Sequence, residues 1–393
     1  MILLTVSLCL LLISLVIHLV IKSCFYPTVR FKTKDKTFLI TGASSGIGLA
    51  LACEVIKHGA KRVYIVARNR KQLDEAKTEI LSHRIDERQQ VFVISCDVTD
   101  LEQVKQLVHT LESQGKNKSD DESDSDDGSD EGDKGDDDDK HLLDHVIINQ
   151  GMAEPGYFLE QDPSCFKRMI DVNYLGGVYL SRLLLPIMMR NKGKNSNRGG
   201  SDDDSQHLVF VSSVCGIFPM IGYAGYCPSK YAIRSFAECL RLELDSTNIC
   251  VQCSVPPDTE TPGLARENTT KPPETKILSD VGGLAKPEHI AQSILRGMAT
   301  GNFLLTEDFL IKALYASVRG LFAQFPLLFV DWLFSCLSFA LNPFFRLYMW
   351  YVPYKLRAAR LERYHQACTA AVTATVTTNA ACSVATEPSP KNE

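Results

Sequence analysis

The sequence predicts an α/β fold, a doubly wound parallel sheet of about seven strands, flanked by apolar segments toward both ends of the chain. Three observations predict it. Short apolar runs alternate with helical patterns from Thr37 to Leu305. A glycine-rich turn follows the first run and opens the first helix. The 393 residues are 45% hydrophobic and 8% aromatic, which supports a packed core and excludes a disordered or collagen-like chain. That length suits one large domain or two ordinary ones.

The strands are expected at Thr37–Thr41, Arg62–Ala67, Val91–Ser95, His145–Asn149, His207–Ser212, Ile249–Val255 and Phe303–Leu305. Helical periodicity lies between them at Leu49–His58, Asp100–Leu111, Phe166–Met189 and Tyr226–Leu244, and a further helix is expected at Pro287–Ala299. Two polar segments interrupt the alternation, 116–140 and 191–206. The first holds thirteen Asp/Glu and four Lys, a local charge of −9 within a chain of net −5, so the remainder is +4. That mild balance implies no nucleic acid partner. Neither segment buries enough apolar surface to offset ordering entropy, so both are expected to be disordered, as is the tail 366–393. Each follows a helix and precedes a strand, which places it at the edge opposite the ligand-binding carboxyl ends. Both should tolerate deletion.

Residues 2–21 carry no formal charge and are long enough to cross a bilayer. No basic residue precedes them and no small-residue cleavage site follows, so 2–22 reads as an uncleaved transmembrane anchor. Lys22, Arg30, Lys32, Lys34 and Lys36 follow, placing the bulk of the chain on the cytosolic side. A second apolar stretch, 314–354, holds Trp332 and Trp350 but is broken by Pro326, Asp331 and Pro343. It reads as a membrane-associated hairpin or re-entrant segment, with a buried core helix as the alternative. The α/β domain between them is expected at 36–310.

Thirteen cysteines in so long a chain are no disulfide framework. Cys250 and Cys253 form one CxxC, but no second pair or nearby His completes a zinc set, so no metal is expected. They read as buried strand thiols.

The chemistry lies at the strand ends. Gly42, Ser44, Ser45, Gly46, Ile47 and Gly48 form a turn between strand and helix N-terminus, a site for a pyrophosphate. After the second strand an acid would select NAD through the ribose 2′-OH. Here Arg68 and Lys71 stand instead, which suits the 2′-phosphate of NADPH, with Arg68 the principal contact. Asp97 and Val98 end the third strand and could flank an adenine; alternatively Asp97 or Asp100 is a helix cap. Tyr226 and Lys230 stand at i and i+4 on one helix face, with Ser213 ending a strand thirteen residues before the tyrosine. A phenol titrates near 10, so a neighbouring ammonium and an oxidised nicotinamide are expected to lower it into the working range.

On these motifs the chain resembles the short-chain dehydrogenase/reductase family, over about Phe38 to Asp308 less the two polar segments. The resemblance implies a Rossmann-type sheet and a catalytic tetrad of Asn173, Ser213, Tyr226 and Lys230, the asparagine holding a water that relays protons to the lysine. Asn149 and Gly151 match the family's NNAG segment, in which Gln150 replaces Ala, and Thr261 ends its PGxxxT segment, in which Pro257 replaces Gly. The segment Pro256 to Asp280 is similar to family members of the endoplasmic reticulum membrane that face the cytosol and reduce 3-ketosphinganine to sphinganine with NADPH. The partners implied are a long-chain keto-amine lipid, the lipid bilayer and, in a homo-oligomer, a second copy of the chain. The loop from Gly263 to about Leu284 is expected to cover the lipid chain. The alternatives are another hydrophobic ketone, a steroid or retinoid, and a non-catalytic nucleotide-binding scaffold at the membrane.

Overall fold

The computed structural model describes residues 31–114, 143–190, 205–245, 247–280, 282–318 and single positions between 347 and 366. The anchor 2–22, the acidic segment 116–140, most of 191–206, most of 314–354 and nearly all of the tail lie outside the described residues. In chain order the elements are β1 (Thr37–Thr41), α1 (Gly46–Lys57), β2 (Arg62–Ala67), α2 (Arg70–Ser82), β3 (Gln90–Ser95), α3 (Leu101–Gln114), β4 (His145–Ile148), α4 (Pro163–Ile170), α5 (Gly176–Arg190), β5 (Gln206–Val211), α6 (Tyr226–Glu243), β6 (Ile249–Ser254), α7 (Pro262–Glu267), α8 (Pro273–Asp280), α9 (Pro287–Met298), β7 (Leu304–Leu305) and α10 (Phe309–Val318).

All seven strands are parallel, in the order β3-β2-β1-β4-β5-β6-β7. Each strand alternates its side chains between two apolar layers, because successive Cβ atoms point to opposite faces. Leu39, Val146, Leu208 and Val251 share one layer with Val104 and Leu107 of α3, Leu180 and Leu184 of α5 and Ile233 of α6. Phe38, Ile40, Val63, Ile147 and Val209 share the other with Leu51 and Val55 of α1, Leu73 of α2 and Ile294 of α9. A sheet covered on both faces needs continuous apolar strands, and β1, β4 and β5 are buried throughout. Strand order reverses between β1 and β4, which opens a crevice at their carboxyl ends.

The structure moves three expected boundaries. Gln206, placed in the second polar segment, is instead the first residue of β5. It is buried there because it pairs with Ile249 and its amide nitrogen donates to Leu143 O at 3.1 Å. The domain runs past 310, since α10 packs Tyr315 into the core and its hydroxyl donates to Glu238 Oε1 at 2.8 Å. It begins before 36, where the Phe31 ring meets the rings of His145 and His207. The single helix expected over Phe166–Met189 is α4 and α5 joined by a π-helical turn, Asp171–Leu175. By length and composition Pro163–Arg190 could cross a bilayer, but Leu180, Leu184 and Ile187 are fully buried against the sheet, so it is a core helix.

Candidate active site

The crevice is a cleft of about 1360 Å³ along the carboxyl edge of the sheet. Its floor begins at the β1–α1 turn. Gly42 (φ 63°) and Gly46 (φ 58°) adopt the left-handed backbone that only glycine takes without strain. Gly48 has another reason: a Cβ there would lie 2.3 Å from Gly42 O and 2.6 Å from Asn149 Nδ2, so helix and strand could not approach. Asn149 ties β4 to this turn, donating from Nδ2 to Thr41 O (3.1 Å) and Gly42 O (3.2 Å) and from its backbone to Thr41 Oγ1 (2.9 Å). Gln150 accepts from the Thr41 hydroxyl, while its Nε2 is buried with no partner. Gly42, Ser44, Ser45, Gly46, Ile47, Arg68, Asp97, Val98, Asn149, Gly151 and Thr261 all line the cleft. The cradle, the basic Arg68 and the spare Gln150 donor fit an anionic dinucleotide. Gly48 lies just beneath the lining. Lys71, the second residue of α2, is exposed and is not among the lining residues.

At the turn after β3 one acid lines the cleft and the other caps a helix. Asp97 lines the cleft and accepts from Thr99 N and Oγ1, whereas Asp100 caps α3, accepting from Glu102 N at 2.9 Å. Thr261 caps α7 through Leu264 N, and its methyl group bears on Gly46, where a Cβ would come within 2.8 Å.

The second half of the site stands on β5 and α6. Ser213 follows β5 and takes Cys215 N on its hydroxyl at 3.1 Å, which starts a short 3-10 turn. Ser212, one residue earlier, is buried and donates to Lys230 O at 2.8 Å, so it locks α6 against the strand. Tyr226 opens α6, and Pro228 sits in the first turn, where a missing N–H costs nothing. Ser213, Tyr226 and Lys230 all line the cleft, and the Ser213 hydroxyl favours ionisation of the phenol. Lys230 is 4% exposed. Its Nζ donates to Val211 O at 3.1 Å and lies 5.8 Å from the centre of the Tyr226 ring.

Asn173 sits in the π-helical turn, 2% exposed and behind the cleft wall. Its Oδ1 accepts from Met152 N (2.8 Å), and its Nδ2 donates to Met152 O and to Ser229 Oγ (2.8 Å each). The inserted residue of a π turn re-aims one side chain, and here it aims Asn173 at the loop after β4. A Cβ on Gly151 would lie 3.0 Å from Lys230 Nζ and 3.5 Å from Asn173 Oδ1, so the bare glycine leaves a gap that both groups border.

Electrostatics differ from the sequence expectation in one respect. The Tyr226 phenol is held well above its ordinary value, chiefly by burial and further by Cys215 and Glu267; the Ser213 hydroxyl opposes this. The Lys230 ammonium, 5.8 Å from the ring centre, does not stand among the leading influences on the phenol. Burial lowers Lys230 to about 8. In this state the tyrosine is a neutral proton donor beside a lysine that titrates close to neutrality.

Sequence reasoning missed a second cluster in the same cleft. Lys271, whose side chain is 1% exposed, pairs with Asp258 Oδ2 at 2.8 Å and Glu267 Oε1 at 3.1 Å. Tyr223 donates to the same Glu267 oxygen, and its ring stands 5.3 Å from that of Tyr226. The expected loop over Gly263 to Leu284 in fact carries α7 and α8, whose Thr261-Pro262 cap was the available signal. Cys215 and Cys227 also meet there, and their hydrogen bond together with burial holds Cys215 well above the ordinary thiol range. Cys253 is a buried strand thiol as expected, whereas Cys250 on the same strand is half-buried, and no cluster of metal ligands occurs among the described residues.

The family model for short chain dehydrogenase matches residues 36–117 and 138–272. The 3-ketodihydrosphingosine reductase of Dictyostelium discoideum is 32% identical over 307 residues, 76% of this chain and 81% of that protein. The 3-dehydrosphinganine reductase of Danio rerio is 36% identical over 266 residues, 67% of this chain and 69% of that protein. Among solved structures, a short-chain dehydrogenase from Sphingobium yanoikuyae in complex with NADPH superposes with a TM-score of 0.55 at 21% identity, covering 72% of this chain and 92% of that one. It shares the fold. The chain belongs to the short-chain dehydrogenase family.

Proposed function

We propose that this chain is an NADPH-dependent reductase of a long-chain keto-amine lipid, turning 3-ketosphinganine into sphinganine. The observation that carries the reading is the convergence of Ser213, Tyr226 and Lys230 on one cleft with the glycine cradle. Its likeness to two sphingolipid reductases over two thirds or more of each supports the choice of substrate. Arg68, exposed at the cleft rim, supports NADPH over NADH.

When bound, NADPH supplies the hydride that reaches C3 of the ketone. Ser213 orients the carbonyl oxygen by a hydrogen bond. Tyr226, neutral in the resting site, donates its phenolic proton to that oxygen as negative charge develops there. Lys230, held by Val211 O, presents a cation beside the phenolate that remains. Asn173 is a positioning residue: it fixes the loop carrying Gly151 and borders the gap through which Lys230 can be reprotonated.

The same proposal places the enzyme in the endoplasmic reticulum membrane through 2–22, with the segment 314–354, beyond its first residues in α10, at the bilayer and the catalytic domain in the cytosol. The uncharged N-terminal run and the basic residues after it support this. Asn268, in an Asn-Thr-Thr sequon, is exposed at the end of α7 and reports on orientation. A cytosolic domain leaves it bare, and a glycan there overturns the topology. The deciding assay follows NADPH consumption and sphinganine formation in membranes carrying the full chain. Turnover of a simple ketone with no sphinganine formed would overturn the substrate while leaving the reductase chemistry.

A further inference from the structure

Eight acids line the cleft; Glu75 and Glu79 stand on α2 and Asp162 caps α4 through Ser164 N, and the other five can be compared by the groups that answer them. Glu154 has its own, a two-pronged pair with Arg168 at 3.0 and 2.7 Å. Asp171 has Lys167. Asp97 is satisfied by Thr99. Asp258 and Glu267 differ, because the single ammonium of Lys271 serves both, at 2.8 and 3.1 Å. The trio therefore holds one negative charge in excess, in the cleft wall and partly shielded from water, the side chains of Asp258 and Glu267 being 29% and 14% exposed.

That excess stands beside the reacting centre. Tyr223 links it there, its ring 5.3 Å from the Tyr226 ring and its hydroxyl on Glu267 Oε1. The Glu267 charge is felt at both Tyr226 and Lys230. Asp258, Glu267, Tyr223 and Tyr226 line the same cavity.

A keto-amine of the sphinganine type carries its amine on the carbon next to the ketone. With the carbonyl oxygen on Tyr226 and Ser213, the ammonium is confined to the neighbourhood of the phenol. Resting on the function proposed above, we infer that Glu267, backed by Asp258, is the specificity-determining carboxylate that receives the substrate ammonium. The site thereby selects a 2-amino-3-ketone over a plain ketone of the same chain length. The docked cation also cancels the charge that opposes phenolate at Tyr226, so the amine assists the proton transfer made next to it.

The test compares two lipids on the full chain in membranes: 3-ketosphinganine and the 1-hydroxy-3-ketone of equal length that lacks the amine. A charge-assisted hydrogen bond in a shielded site is worth about ten- to hundredfold in binding. Wild type should favour the keto-amine by about that factor, and Glu267→Gln, which keeps an acceptor for Tyr223, should lose most of the preference. Asp258→Asn should lower it less, and NADPH affinity of both variants serves as the check on folding. A preference ratio unchanged in Glu267→Gln overturns the assignment, because a structural role for the carboxylate would depress both substrates alike. Wild type that reduces neither lipid overturns the substrate reading and the assignment with it; wild type that reduces both equally overturns the assignment alone.

Discussion

Gly151→Ala adds one methyl group where it matters. Gly151 does not use the left-handed backbone, so alanine is accommodated without main-chain strain. Its Cβ would lie 3.0 Å from Lys230 Nζ and 3.5 Å from Asn173 Oδ1. Neither neighbour can yield freely, since Lys230 is anchored to Val211 O and Asn173 is held by three hydrogen bonds. The methyl group therefore fills the gap or displaces the ammonium. A hydrogen bond to a charged group contributes about 1.5–3 kcal/mol, and each 1.4 kcal/mol is a factor of ten. The expected result is a ten- to hundredfold fall in kcat/KM, read as NADPH oxidation with 3-ketosphinganine. Gly-to-Ala changes restrict the unfolded chain by about 0.4–1 kcal/mol, so the thermal midpoint should move little. Loss of activity with an intact midpoint separates blockage from unfolding. Activity within twofold of wild type would refute the idea that Lys230 and Asn173 border a working gap.

Tyr226→Phe should lower kcat by about 10²–10⁴-fold and leave NADPH affinity within twofold by fluorescence titration. Arg68→Ala should lower the preference for NADPH over NADH by at least about tenfold, the worth of one charge-assisted contact to the 2′-phosphate; an unchanged ratio of kcat/KM for the two cofactors removes Arg68 from that role. The pH profile has a definite sign. Lys230 titrates at about 8 in the bare chain, is charged below that and loses its proton as pH rises through it. The phenol is held well above its ordinary value and stays protonated over the same range. Since kcat/KM reports groups of the free enzyme, it should fall as pH rises through about 8, and Lys230→Arg, always charged, should abolish that limb whatever its rate.

Strand positions were legible because a sheet covered on both faces demands apolar runs, and β1 and β2 fall where those runs lie. The glycine cradle and the Ser213–Tyr226–Lys230 set were legible because their chemistry is local: a tight turn, and one helix face placed beside one strand end. What sequence could not give depends on contacts made across the fold. The π turn that aims Asn173 inward is one extra residue in an otherwise ordinary helix. Glu267 and Lys271 have the i, i+4 spacing of a solvated helix pair, and only the packing of α7 and α8 over the cleft removes Lys271 from water. The raised Tyr226 phenol is likewise a product of tertiary burial. Lys71 points the same lesson in reverse, since it follows Arg68 closely in sequence yet lies on the outer surface of α2.

The ion pair between Glu112, near the end of α3, and Arg190, the last residue of α5, joins the two helices from which the polar segments depart. The last turns of these two helices consequently lie together at one corner of the domain. A fluorescent protein or affinity handle spliced at either junction would ride on that corner as cargo, and an enzyme labelled there could be followed in living cells with its turnover intact.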